Sequence, residues 1–218
     1  MIPLPEHMVQ GAQYERELRH VLAGLPEGVR AVTRSCTESE RAQARLVIER
    51  PFLVVRAAGS GIEGSGDLLA LRGDICFPIE VKTSKEKKLY LNGRLSEQYS
   101  ALENIGNKCG LMPLYAYRLK GIRGDSWRIF RIETGNLVGR LSILARRIPP
   151  CPLTKNGRPH LIWDQGLPLH KFLALVCRET EQRSQTFEQV QERTIIESEI
   201  YDSETEIHAW MKGFIRPR

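Results

Sequence analysis

In GAQYERELRHVLAGL (11–25), Tyr14, Leu18, Val21, Leu22 and Leu25 recur at three- and four-residue intervals. That spacing places them on one face of a helix and leaves Glu15, Arg16, Arg19 and His20 on the others. Gly24, Pro26 and Gly28 end it. Residues 28–50 mix a short strand in VRAVT with a charged stretch, ESERAQARLVIE, that suits a helix. From residue 52 the pattern shortens to strands: FLVVRA (52–57), then Leu68–Leu71 and Ile75–Lys82. A glycine-rich loop, GSGIEGSG (59–66), follows the first, and Arg72-Gly73-Asp74 makes a tight turn between the other two, with glycine supplying the positive φ. Pro78 lacks a ladder donor, so the strand that holds it is expected at an edge or a bulge. The lysine-rich SKEKK leads to a short strand, LYL. A helix over 97–108 with Leu102 and Ile105 on one face ends at Gly110, and two further strands follow, Met112–Arg118 and Trp127–Ile132.

This order predicts an α/β fold, a mixed central β-sheet flanked by helices. Beyond Gly135 the pattern loosens: Pro149, Pro150 and Pro152 mark a loop, and Leu167–Arg178 reads as a helix with Pro168 near its first turn. Residues 8–180 are expected to form one domain. Residues 181–218 are expected to form a polar extension, in which Ile207, Trp210, Met211 and Phe214 make one helical face suited to docking.

Composition changes this picture little. A chain of 218 residues with 41% hydrophobic and 27% charged residues suits one good core. No apolar run reaches the roughly 20 residues of a membrane helix. The opening MIPLPEHMVQ lacks a signal-peptide pattern, so a cytoplasmic protein is expected. Cys36, Cys76, Cys109, Cys151 and Cys177 are scattered, without metal-ligand spacing, and are expected to be reduced thiols.

Charge says more. The net charge is +6, but residues 181–218 hold eight acidic and five basic residues, so they carry −3 and residues 1–180 carry +9. A basic body suits an anionic partner such as nucleic acid.

The candidate chemistry lies in Asp67 and in Glu80-Val81-Lys82. Residues two apart on a strand share a face, so Glu80 and Lys82 project together and Val81 goes to the other side with Ile75, Phe77 and Ile79. Folding back at Arg72-Gly73-Asp74 returns Glu80 toward Asp67. Two converging carboxylates offer the oxygen ligands that Mg²⁺ takes, with its other positions left to water and phosphate. A lysine two residues beyond the second carboxylate is suited to hold the attacking water or to offset charge on phosphorus. Glu-x-Lys is also a common salt-bridged surface pair. What sets this one apart is the half-apolar face it shares with Cys76 and Pro78.

In these motifs the chain resembles the archaeal Holliday junction resolvases of the PD-(D/E)XK nuclease superfamily. The resemblance runs through GAQYEREL (11–18), FLVVRAAGSG (52–61), GDLLAL (66–71), IEVKTSKEKKLYL (79–91) and WRIFRIE (127–133), and thinly through GLPLHKFLALV (166–176). It implies a restriction-endonuclease-like fold. It makes Glu15 the helix-borne acidic residue of the site and a metal ligand together with Asp67 and Glu80, and Lys82 the catalytic lysine. It also places Arg16, Arg56 and Ser60 near the scissile phosphate. Lys85, Lys87 and Lys88 would then grip backbone phosphates. Residues 26–50 read as an insertion relative to the family, and the tail from 181 has no counterpart.

The leading expectation is a Mg²⁺-dependent endonuclease, with Mn²⁺ able to substitute. It would resolve four-way DNA junctions by paired symmetric nicks as a homodimer, alongside replication or recombination proteins. A second reading keeps the fold and chemistry but acts on duplex, flap or mismatched DNA, as a restriction or repair enzyme would. A third, of another class, is a non-catalytic DNA-binding or scaffold protein, and the intact set Glu15, Asp67, Glu80 and Lys82 counts against it.

Overall fold

The computed structural model describes residues 6–57, 66–73 and 75–178, with backbone only for 6–11. The chain divides into two units, Met1–Arg178 and Glu179–Arg218. The second, with the anticipated docking face at Ile207–Phe214, lies outside the described residues, as does Ser60.

Three helices come first: α1 (Glu6–Leu22), α2 (Pro26–Val32) and α3 (Glu38–Glu49). The strand expected in VRAVT is helical instead, as α2. Pro26 opens α2, Val29 is buried, and the Thr33 hydroxyl donates to the Val29 carbonyl at 2.7 Å. Packing against α1 outweighs the β preference of two valines and a threonine. The helix read in ESERAQARLVIE is α3. The backbone N–H of Thr37 donates to Glu40 at 2.8 Å, and the Glu40 N–H donates back to the Thr37 hydroxyl at 3.4 Å. This reciprocal pair satisfies two otherwise orphaned donors and sets where the helix starts.

The strands β1 (Leu53–Arg56), β2 (Leu68–Arg72), β3 (Ile75–Ser84), β5 (Leu114–Leu119), β6 (Trp127–Arg131) and β8 (Leu167–Pro168) form one six-stranded sheet in the order β1-β2-β3-β5-β6-β8. Only β3 and β5 run parallel. The crossover between them carries β4 (Lys88–Tyr90) and α4 (Arg94–Cys109), which ends at left-handed Gly110. Later elements are α5 (Gly139–Ala145), β7 (His160–Ile162), which pairs with β4 in a separate two-stranded sheet, and α6 (Leu169–Cys177). The sequence pattern foretold neither α5 nor β7.

Strand alternation divides the core in two. Phe77, Ile79, Leu114, Ala116, Trp127 and Ile129 face α1, α3 and α6, where they meet Leu18, Val47 and Phe172. On the opposite side Tyr115, Tyr117 and Phe130 meet Tyr99 and Leu102 of α4 and Leu161 of β7. Glu80, in register with Tyr115, projects on this second side.

Pro78 was expected at a sheet edge, yet β3 is an inner strand. It is tolerated because pairing with β5 begins only at Ile79. The Ile79 carbonyl faces β2, where it accepts the Asp67 N–H. The alternate residue Pro78 therefore turns its nitrogen the other way, where β5 is not yet paired, and no ladder bond to β2 is lost.

Candidate active site

The antiparallel register sets Leu68 against Ile79, which makes Asp67 the cross-strand neighbour of Glu80. Two further bonds hold this corner. The Asp67 N–H donates to the Ile79 carbonyl at 2.8 Å, and the Val81 N–H donates to the Asp67 carboxylate at 2.8 Å. The chain enters the corner through Gly66, whose φ is +70°. A Cβ there would meet the Ile79 carbonyl oxygen at 2.6 Å, so only glycine brings this backbone so close to β3.

Lys82 shares the Glu80 face of β3, as the two-residue period requires. Its ammonium donates to Glu80 Oε1 at 2.6 Å and to Gln98 Oε1 of α4 at 3.0 Å. Two acceptors on different elements aim a side chain that would otherwise be free to swing. Gln98 was not singled out in the sequence, because a glutamine on a helix carries no signal until the partner it faces is known.

Glu15 reaches the site from α1. Its carboxylate accepts from Arg56 Nε at 3.2 Å. Arg56, at the end of β1, pairs in register with Leu68 beside Asp67. Arg16 joins them around a cavity of about 100 Å³ lined by Ala12, Glu15, Arg16, Arg19, Arg56 and Leu68. Three arginines against the one Glu15 carboxylate leave this small space with an excess of positive charge, which suits an anion such as phosphate. Arg19 is the one not anticipated here, although its spacing from Glu15 and Arg16 on one helix was visible in the sequence. Lys85, Lys87 and Lys88 are exposed around the end of β3. Lys87 pairs with Asp164 at 3.1 Å, leaving it less available than its neighbours to an outside anion.

All three carboxyl groups are held above the usual carboxylate range. Burial is the main cause for Glu80, with repulsion from Asp67 next, opposed by Lys82. Burial is also the main cause for Asp67, opposed by the Val81 N–H and by Lys82. For Glu15 burial again leads, followed by Asp67, with Arg56 opposing. Among the described residues no group of three or more His, Cys, Asp and Glu is arranged to hold a metal ion, so Glu15 does not complete a three-carboxylate cluster with the other two. Asp67 and Glu80 alone still fit a hard cation. Mg²⁺ commonly takes one or two carboxylates and keeps several waters, and a buried carboxylate repelled by a half-buried one gains from added positive charge.

The sign of the linkage follows from these shifts. A carboxyl whose folded pKa is raised stabilises the metal-free fold at pH below the ordinary value of about 4 and loses that contribution as pH rises through the raised value. Protons and a cation therefore compete for the same oxygens. Added Mg²⁺ is expected to raise the unfolding temperature more at pH 8 than at pH 5, and the increment should shrink in Asp67→Asn. Thermal melts with and without Mg²⁺ at both pH values check this. An increment independent of pH would remove Asp67 and Glu80 as the binding pair.

Among curated proteins none matches the chain. The solved structure of Archaeoglobus fulgidus Hjc, described as a Holliday junction resolvase from an archaeal hyperthermophile, is similar at 22% identity with a TM-score of 0.39, covering 62% of this chain and 96% of that one. A family model described as archaeal Holliday junction resolvase matches residues 31–138, about half of the chain. The matched residues include Arg56, Asp67, Glu80 and Lys82, and they take in α3, which lies in the stretch read from sequence as an insertion. They leave out Glu15 and Arg16. Over residues 31–138 this chain belongs to the archaeal Holliday junction resolvase family.

Proposed function

We propose that the protein is a Mg²⁺-dependent endonuclease that resolves four-way DNA junctions, working as a homodimer with Asp67, Glu80 and Lys82 at the centre of each site. The observation that carries this reading is the fixed corner in which the buried Glu80 carboxylate and the half-buried Asp67 carboxylate come together where β2 meets β3, with the Lys82 ammonium 2.6 Å from Glu80. A surface salt bridge would not need Gly66, a backbone N–H and a helix-borne glutamine to hold it.

In this reading Asp67 and Glu80 hold the cation, which supplies charge compensation and an acidified water when bound. Lys82, steadied by Gln98, orients the attacking water and offsets charge that builds on the phosphate oxygens. Water forms a new bond to phosphorus as one bridging P–O bond breaks, which leaves a phosphate monoester and a hydroxyl. Arg16, Arg19 and Arg56 hold a phosphate beside the cut, and Glu15 fixes the Arg56 guanidinium. Lys85 and Lys88 follow the strand through its phosphates. Contacts of this kind position DNA without reading its sequence.

A four-way junction has near-two-fold symmetry, so paired cuts call for two sites related by the same symmetry. The test is cleavage of a synthetic four-way junction by the purified protein. With Mg²⁺ it should produce two nicks placed symmetrically about the branch, while linear duplex of the same sequence is cut far more slowly. Equal cutting of duplex or flap would move the protein to a repair or restriction role. Binding without cutting in Mg²⁺ or Mn²⁺ would leave a DNA-binding protein.

A further inference from the structure

The small sheet of β4 and β7 carries, beside Lys88, an aromatic face that the reading above does not use. Leu89 and Leu161 turn inward to the second core. The opposite face presents Lys88, Tyr90 and, across the register from Tyr90, His160. Tyr90 is 50% exposed, an unusual position for a large aromatic side chain. His160 stacks on it with ring centroids 5.9 Å apart and planes at 28°, and the Lys88 ammonium sits 4.6 Å from the Tyr90 ring centroid. His160 is only 5% exposed, and its Nδ1 is buried without a hydrogen-bond partner among the described residues. The His160 ring thus lies against Tyr90 from the neighbouring strand.

The surface is firmly attached and adjoins the site. Tyr117, which pairs with Lys82 across β3 and β5, donates its hydroxyl to the Glu86 carbonyl in the lysine turn. The Trp163 N–H donates to the Lys87 carbonyl at 2.7 Å. The turn carrying Lys85 and Lys87 thus leads directly from the Lys82 end of β3 to Tyr90. An exposed aromatic face with the Lys88 ammonium on it, joined by one turn to the Lys82 end of β3, matches the chemistry of an unpaired nucleobase and its flanking phosphate.

We infer that Tyr90 is a base-stacking residue: a nucleobase freed from its stack at a strand branch lies on the Tyr90 ring in place of the Lys88 ammonium, which moves to the adjoining phosphate. The exchange replaces a cation–π contact with base stacking and an ion pair, and it gives the protein a way to favour branched over linear DNA. This inference rests on the proposed function, since it assumes that the neighbouring corner acts on DNA.

The test compares the full chain with Tyr90→Ala, Tyr90→Leu and Tyr90→Phe without divalent metal, so that no strand is cut. Equilibrium binding is measured on a four-way junction, a splayed fork and a linear duplex of shared sequence. Tyr90→Ala and Tyr90→Leu should weaken junction binding about tenfold and change duplex binding less than about twofold, while Tyr90→Phe should match the wild type. Loss on the fork as well assigns the contact to any unpaired base, and loss on the junction alone assigns it to the branch; both support stacking. Junction binding preserved in Tyr90→Ala, junction binding retained by leucine, or an equal loss on junction and duplex would each overturn it. If the wild type itself shows no preference for branched DNA, the proposed function fails and this inference falls with it. If the wild type prefers the junction and Tyr90→Ala does so equally, only the stacking role fails.

Discussion

Replacing Glu80 by Gln is expected to leave a protein that folds and holds junction DNA but cuts it about 10³-fold more slowly. Glutamine keeps the shape of the side chain and an acceptor oxygen for the Lys82 ammonium, so the links from Lys82 to β3 and to Gln98 survive. What it removes is the charge, and with it one of two groups suited to hold the cation. It also removes a buried carboxylate that Asp67 repels. Because burial and Asp67 outweigh Lys82 in holding the Glu80 carboxyl up, the metal-free variant should melt slightly higher than the wild type at pH 7 to 8. Single-turnover cleavage and thermal melting on one preparation read both quantities. Cleavage near the wild-type rate would remove Glu80 from the chemistry. A large drop in melting temperature would show that Glu80 serves the fold instead.

Gly66→Ala is expected to act on the same corner from the backbone. Three backbone atoms of Ile79 lie 2.6, 2.8 and 3.2 Å from where the new Cβ would stand, and none of them belongs to a side chain that can turn aside. The φ of +70° adds strain that an L residue avoids. Residue 66 must move, and Asp67 moves with it, weakening the bonds from its N–H to Ile79 and from Val81 to its carboxylate. A displacement of about 1 Å at a reacting centre costs about 10²-fold in rate. Stability should fall by about 2–3 kcal/mol, within the range of strained backbone substitutions. Because β2 and β3 remain paired from Leu68 to Ile75, the variant should still fold. Circular dichroism and melting check the fold, and cleavage with Mg²⁺ checks the corner. Full activity in Gly66→Ala would mean that the exact placement of Asp67 does not matter to cutting, which the proposed function does not allow.

Much of the fold and the corner is legible in the sequence where a local rule suffices. The period-two alternation of Ile75, Phe77, Ile79 and Val81 is enough to put Glu80 and Lys82 together on one face, and the glycine turn after Arg72 returns Glu80 to Asp67. The charged stretch from Glu38 to Glu49 reads as a helix and is one. Where the rule is only a preference, packing overrides it. The valines of VRAVT favour a strand in isolation, yet they follow a proline that opens a helix and bury Val29 against α1. Pro78 marks an edge in general, but the inner strand β3 accommodates it because its neighbour β5 starts one residue later. The irregular region after Gly135 conceals α5 and β7, since strands as short as three residues leave no period to read.

The sequence by itself determined the α/β alternation, the pairing of β2 with β3, and the shared face of Glu80 and Lys82, because each depends on spacing along one or two neighbouring elements. Only the tertiary structure decided what surrounds them. The approach of α1 set Glu15 on Arg56 and drew Arg19 into a pocket with Arg16. The return of the chain in α4 brought Gln98 to Lys82, and the pairing of β4 with β7 turned Tyr90 outward over His160. These contacts join residues on different elements, and their energy comes from burying one element against another, so no local pattern records them.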